Sequence, residues 1–144
     1  MYDVAIIGAG VIGGMVAREL TKYSLSVCLL EKENDVACGA SKANSGIVHG
    51  GYDPEPNTVK AKLNVIGVEK LFNTAKELNA PIKRNGSLVC AFSAEEDETV
   101  KALYERGIKN GVKGLKILSG DEARKEEPNL SENVTSALLV TNAG

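Results

Sequence analysis

The feature that most constrains this chain is the ordered run strand, glycine turn, helix, strand, acid over residues 3–31: Asp3-Val-Ala-Ile-Ile-Gly8-Ala-Gly10-Val-Ile-Gly13-Gly14, then Ser26-Val-Cys-Leu-Leu-Glu31. Each part has a physical task. Gly8 allows a sharp turn off the first strand, Gly10 lets a pyrophosphate approach the backbone, and Gly13 lets the helix pack closely on the strand. The opening of the helix offers free N–H groups and the positive end of its dipole to phosphate. Glu31 follows Gly13 by 18 residues, where a carboxylate accepts hydrogen bonds from ribose hydroxyls. The run predicts a parallel βαβ unit that binds a dinucleotide, with a helix of Met15, Val16, Ala17 and Leu20 between the strands.

Composition narrows the partners. A net charge of −2 gives no reason to expect nucleic acid or an anionic membrane, and the absence of Trp removes a main stacking platform for single strands. Cys28, Cys38 and Cys90 share no close spacing and read as reduced thiols; with one histidine, a metal site is not expected. No apolar run approaches the ~20 residues of a membrane helix, and no signal peptide precedes the first strand. A cytoplasmic location is expected, with peripheral membrane contact of a longer protein left open.

Residues 32–57 lose all periodicity, and a stretch of that length in a compact domain is expected to be a binding loop. Val59, Leu63, Ile66, Leu71, Ala75 and Leu78 predict a helix over 58–79, capped by Asn57 or Thr58 and ended by Pro81. Ser87–Phe92 reads as a strand, Ser93 with Glu96 as a capping box for a helix ending near Asn110-Gly111, and Leu115–Leu118 as a strand. Ser119 with Glu122 starts a short helix that Pro128 stops, and Thr135–Val140 is a last strand. A doubly wound domain needs five or so parallel strands, so a chain with two of them looks truncated.

From Gly39 to Gly51 the sequence resembles the FAD-dependent oxidoreductases of the D-amino-acid-oxidase superfamily, in the branch of FAD-linked glycerol-3-phosphate and L-2-hydroxyglutarate dehydrogenases. The matching stretches are Gly8–Glu31, Asn44-Ser45-Gly46-Ile-Val-His49-Gly50-Gly51, Lys60-Ala-Lys-Leu63, and Leu103–Val112 with Glu127-Pro128 after it. The resemblance implies an α/β fold: an incomplete FAD-type Rossmann βαβ unit leading into the start of an α+β substrate domain. It implies an FAD-binding part over 1–80 with a flavin-contacting loop at 38–57, and a truncated substrate or cap part over 81–144. It implies that Gly8, Gly10, Gly13, Gly14, Glu31 and Lys32 contact the ADP half of FAD, and that Ser41, Asn44, Ser45 and Gly46 run beneath the flavin. His49 matches a histidine near the flavin ring. As the chain's one histidine it can orient a hydroxyl or shuttle its proton, or serve as a structural imidazole beside the cofactor.

The implied reaction is dehydrogenation of a small secondary alcohol, glycerol 3-phosphate first and L-2-hydroxyglutarate as the alternative. The hydride goes to flavin N5 and the electrons pass on to a quinone or redox protein. A piece of this length is expected to be inactive alone. One departure bears on substrate: Asp53 stands where aerobic glycerol-phosphate enzymes place an arginine, and a carboxylate repels a dianion. Two other classes stay open, a nicotinamide-dependent reductase and a non-catalytic nucleotide-binding module.

Overall fold

The computed structural model describes residues 1–144. The elements in chain order are β1 (Val4–Ile7), α1 (Val11–Leu20), β2 (Val27–Leu30), α2 (Val59–Glu77), β3 (Ser87–Ala91), α3 (Ala94–Lys109), β4 (Leu115–Ser119), α4 (Gly120–Glu126) and β5 (Ser136–Val140). The chain divides into two compact units, Met1–Gly46 and Ile47–Gly144.

In the first unit β1 and β2 pair in parallel, from Val4 opposite Val27 to Ile7 opposite Leu30, with α1 as the crossover. The turn needs glycine at its first position, because Gly8 has φ +99°. Gly13 marks the close approach of helix and strand: a Cβ there would stand 1.8 Å from the Gly8 carbonyl oxygen. Burial in this unit is slight. Ile6 and Ala9 are buried, α1 buries no residue, and Ile7 and Ile12 are 88% and 78% exposed.

The second unit holds a three-stranded antiparallel sheet in the order β3-β5-β4. Leu138 of the central strand faces Val89 on one side and Ile117 on the other. The face that carries Leu138 and Val140 joins Val100 of α3 with Val112 and Leu115 in one core. Each strand next to β5 leads into a capped helix, β3 into α3 behind Ser93 and β4 into α4 behind Ser119. The Ser119–Glu122 capping box forms as the sequence predicts: Ser119 Oγ accepts from the Glu122 amide at 3.3 Å, and Glu122 Oε2 accepts from the Ser119 amide at 2.8 Å.

Two expectations are corrected. At the start of α3, Ser93 Oγ does accept from the Glu96 amide, but Glu96 Oε2 accepts from the amide of Phe92 rather than that of Ser93, so the box is not reciprocal. Along α2 the buried residues are Ala61, Val68 and Ala75, while Val59, Leu63, Ile66, Leu71 and Leu78 are exposed. Of the residues read from periodicity Ala75 is buried, whereas the larger aliphatics lie mostly on the side opposite the Ala61, Val68 and Ala75 row. Helix α2 lies within the second compact unit. Residues 31–58 contain no helix or strand, in keeping with the expected loop.

Candidate functional site

The first unit forms a cleft of about 840 Å³ where the end of β1, the start of α1, the end of β2 and the 37–41 loop meet. Gly8, Gly10, Gly13, Glu31, Lys32, Ser41 and Asn44 all line it, so seven of the residues picked from the sequence converge. Gly14, Ser45 and Gly46 do not line it. Gly14 is exposed on α1 with open space around the position of a Cβ, and Gly46, at φ +66°, serves the loop's own turn.

Glu31 is the best-oriented polar group there. Its Oε2 accepts from the Ala9 amide at 2.7 Å, and its Oε1 accepts from the amides of Lys32 at 2.9 Å and Glu33 at 3.1 Å. These bonds, that from Ala9 first, hold the carboxyl below its ordinary range. With three of about four lone-pair sites taken, Oε2 keeps capacity for one more donor, such as a ribose hydroxyl. The carboxylate therefore ties the glycine turn to the end of β2 while aiming its remaining capacity into the cleft.

The helix end is suited to an anion. Helix α1 has no acid in its first turn to neutralise the dipole, and its N-cap is Gly10, which has no side chain to bond the first amides. Ser41 supplies part of that role from the loop: its Oγ accepts from the Val11 amide at 2.8 Å. The same hydroxyl lies 2.9 Å from where a Cβ of Gly10 would stand, so the loop covers the turn closely. Asn44 shapes the loop itself, donating through Nδ2 to the Ser41 carbonyl at 2.6 Å and accepting the Gly46 amide on Oδ1 at 2.8 Å. Lys32 is exposed and paired with Glu33 at 3.2 Å. Donors at the helix end, a carboxylate with a free acceptor site and a glycine-lined wall fit the ADP half of a dinucleotide.

Because the carboxyl of Glu31 is depressed in the folded state, its bonds are fully present above the unfolded glutamate value of about 4.3. They are lost only as pH falls through the lower folded value. We expect the Ala9 amide proton, followed by NMR, to keep its downfield position down to pH ~4.3 and to move only below it; titration at the ordinary glutamate value would count against this geometry.

His49 lies in the second unit, exposed between buried Val48 and Gly50. Asp53, just beyond it, offers its carbonyl to Arg106 Nη1 at 2.8 Å, and the same guanidinium pairs with Glu55 at 2.9 Å. Local sequence gave no sign of the contacts that fix this segment. Asn110 Nδ2 donates to the carbonyls of Gly51 and Pro54 at 3.1 and 2.7 Å, and Asn142 Nδ2 donates to that of Gly50 at 3.2 Å. Asn110 read as a helix cap and Asn142 as part of a tail; their partners lie 56 or more residues away in the chain. The three cysteines are free thiols, and no group of three or more His, Cys, Asp or Glu is placed to hold a metal ion.

A parallel βαβ unit with this glycine turn and an acid oriented after β2 defines a dinucleotide-binding α/β protein. Comparison with known proteins narrows the class: the chain belongs to the family described as DAO, FAD dependent oxidoreductase, which it matches over residues 3–144. It is 52% identical over all 144 residues to the glycerol 3-phosphate dehydrogenase of Caloramator mitchellensis, covering 30% of that protein. It is 40% identical over 129 residues to the mitochondrial L-2-hydroxyglutarate dehydrogenase of Pongo abelii, covering 88% of this chain and 31% of that protein. Among solved structures it resembles the dithionite-reduced, FAD-bound L-alpha-glycerophosphate oxidase of Mycoplasma pneumoniae, with a TM-score of 0.88 at 34% identity, over 99% of this chain and 38% of that one. The chain thus spans about a third of the length of these relatives.

Proposed function

We propose that this chain is part of an FAD-dependent dehydrogenase or oxidase acting on a small secondary alcohol, with glycerol 3-phosphate as the substrate and dihydroxyacetone phosphate as the product. The observation that carries the reading is the 52% identity to a glycerol 3-phosphate dehydrogenase across every residue of the chain. FAD, when bound, supplies the redox chemistry by accepting a hydride from the carbinol carbon. The first unit holds its ADP half: Glu31 takes a ribose hydroxyl, the Gly10–Gly13 end of α1 faces the diphosphate, and Gly8, Gly14 and Lys32 complete the contacts. Ser41, Asn44, Ser45 and Gly46 form the loop beneath the flavin. His49 orients the substrate hydroxyl or takes its proton as the C=O forms. In this reading residues 1–80 serve the cofactor and 81–144 begin the part that faces the substrate. The electron acceptor is a quinone or redox protein, and the location is cytoplasmic. No helix is long and apolar enough to cross a membrane.

A second reading, L-2-hydroxyglutarate as the substrate, is supported by the 40% identity to a mitochondrial L-2-hydroxyglutarate dehydrogenase over 129 residues. Asp53 bears on either dianionic substrate alike, and the nearby cation, Arg106, is engaged with Glu55 and the Asp53 carbonyl. Anaerobic titration of the intact flavoprotein separates the readings. Bleaching of the flavin band by glycerol 3-phosphate is expected; bleaching by L-2-hydroxyglutarate alone selects the second reading. A band untouched by either makes the protein a nucleotide-binding module.

A further inference from the structure

His49 carries an exposed imidazole on a backbone held from both sides. Val48 donates to the Gly144 carbonyl at 2.6 Å and accepts the Gly144 amide at 3.2 Å. On the other side the Gly50 carbonyl accepts from Asn142 Nδ2, and the Gly51 carbonyl from Asn110 Nδ2. Neither glycine has room for a side chain. A Cβ on Gly50 would stand 2.3 Å from Val140 Cγ1 and 2.7 Å from Asn142 Oδ1. Gly51 has φ +94°, and a Cβ there would stand 2.8 Å from Val65 Cγ2. The asparagines also hold an unusual arrangement: the amide oxygens of Asn110 and Asn142 are buried without a partner in the protein, while their NH2 groups serve the turn.

We propose that Asn142 and Asn110 are positioning residues for the oxidation. By gripping the carbonyls of Gly50 and Gly51 they fix the peptide planes beside His49, and with them the direction in which the imidazole meets the substrate hydroxyl. The proposal rests on the role given to His49 above.

The test compares Asn142→Ala and Asn110→Ala, each alone and combined with His49→Ala, by the rate of anaerobic flavin reduction in the intact flavoprotein. Thr141→Ala is the control, because it removes a side-chain bond to the Gly114 carbonyl at 3.0 Å without touching the turn. The asparagine variants are expected to slow reduction about ten- to a hundredfold, as a misplaced catalytic group does. Thr141→Ala should stay within about twofold, and neither asparagine change should slow the His49→Ala enzyme further, because effects that act through one group do not add. Equal slowing in both backgrounds overturns the positioning role and leaves that of His49 intact; a wild-type rate in His49→Ala overturns both. Where the alanine variants do not fold, backbone order parameters of the wild-type chain decide. Values near ~0.85 at His49, Gly50 and Gly51 support the clamp, and values below ~0.6 overturn it.

Discussion

Gly13→Ala is expected to cost about 3 kcal/mol and to weaken dinucleotide binding by roughly two orders of magnitude. The added Cβ would lie 1.8 Å from the Gly8 carbonyl oxygen and 3.0 Å from its carbon, both rigid backbone atoms, so the whole of α1 must back away from β1. That retreat pulls the turn away from Glu31 and, in the proposed complex, draws the helix end off the diphosphate. The unit has little with which to absorb the shift, since Ile6 and Ala9 are its buried apolar residues. Gly14→Ala, one residue on, is the contrast. Nothing lies within 4 Å of its Cβ position, so the helix should gain about 0.5–1 kcal/mol from the better helix former. Thermal melts of the two variants check both stability expectations; flavin content of Gly14→Ala separately tests the proposed ADP contact at Gly14, which unchanged content would remove. Equal stability of Gly13→Ala and wild type would refute the close approach.

The second large effect is Leu138→Ala, with an expected loss of 2–5 kcal/mol, in the range for a buried leucine whose surroundings cannot collapse. Leu138 is 0% exposed at the middle of the central strand, against α3 and between β3 and β4, so the space it leaves is walled by secondary structure on three sides. Ile117, its partner in the register, is 42% exposed, and Ile117→Ala should cost roughly 1 kcal/mol or less. Denaturant melts of the two variants test whether the antiparallel sheet is the stability centre of the second unit. Similar losses in both would show that burial does not rank these positions.

How far the sequence disclosed these features follows from the range of the forces involved. The βαβ unit, the Ser119–Glu122 box and the turn at Gly111 (φ +78°) were legible because each is settled within a few residues. Glu31 was legible as the acid that closes β2, but its grip on the Ala9 amide, 22 residues back, was not. The packing face of α2 was misjudged for a definite reason. Periodicity weights large aliphatics such as Leu63 and Ile66, whereas the buried row is Ala61, Val68 and Ala75, of which it picked out Ala75 alone. Asn110 and Asn142 escaped notice because a side-chain amide acting on a carbonyl 56–92 residues away leaves no local pattern.

The reciprocal bonds between Val48 and Gly144 tie the stretch before His49 to the residues after β5 like the two sides of a clasp. Loosening that clasp would therefore free the stretch carrying His49 on one side while leaving every strand pairing of the sheet in place.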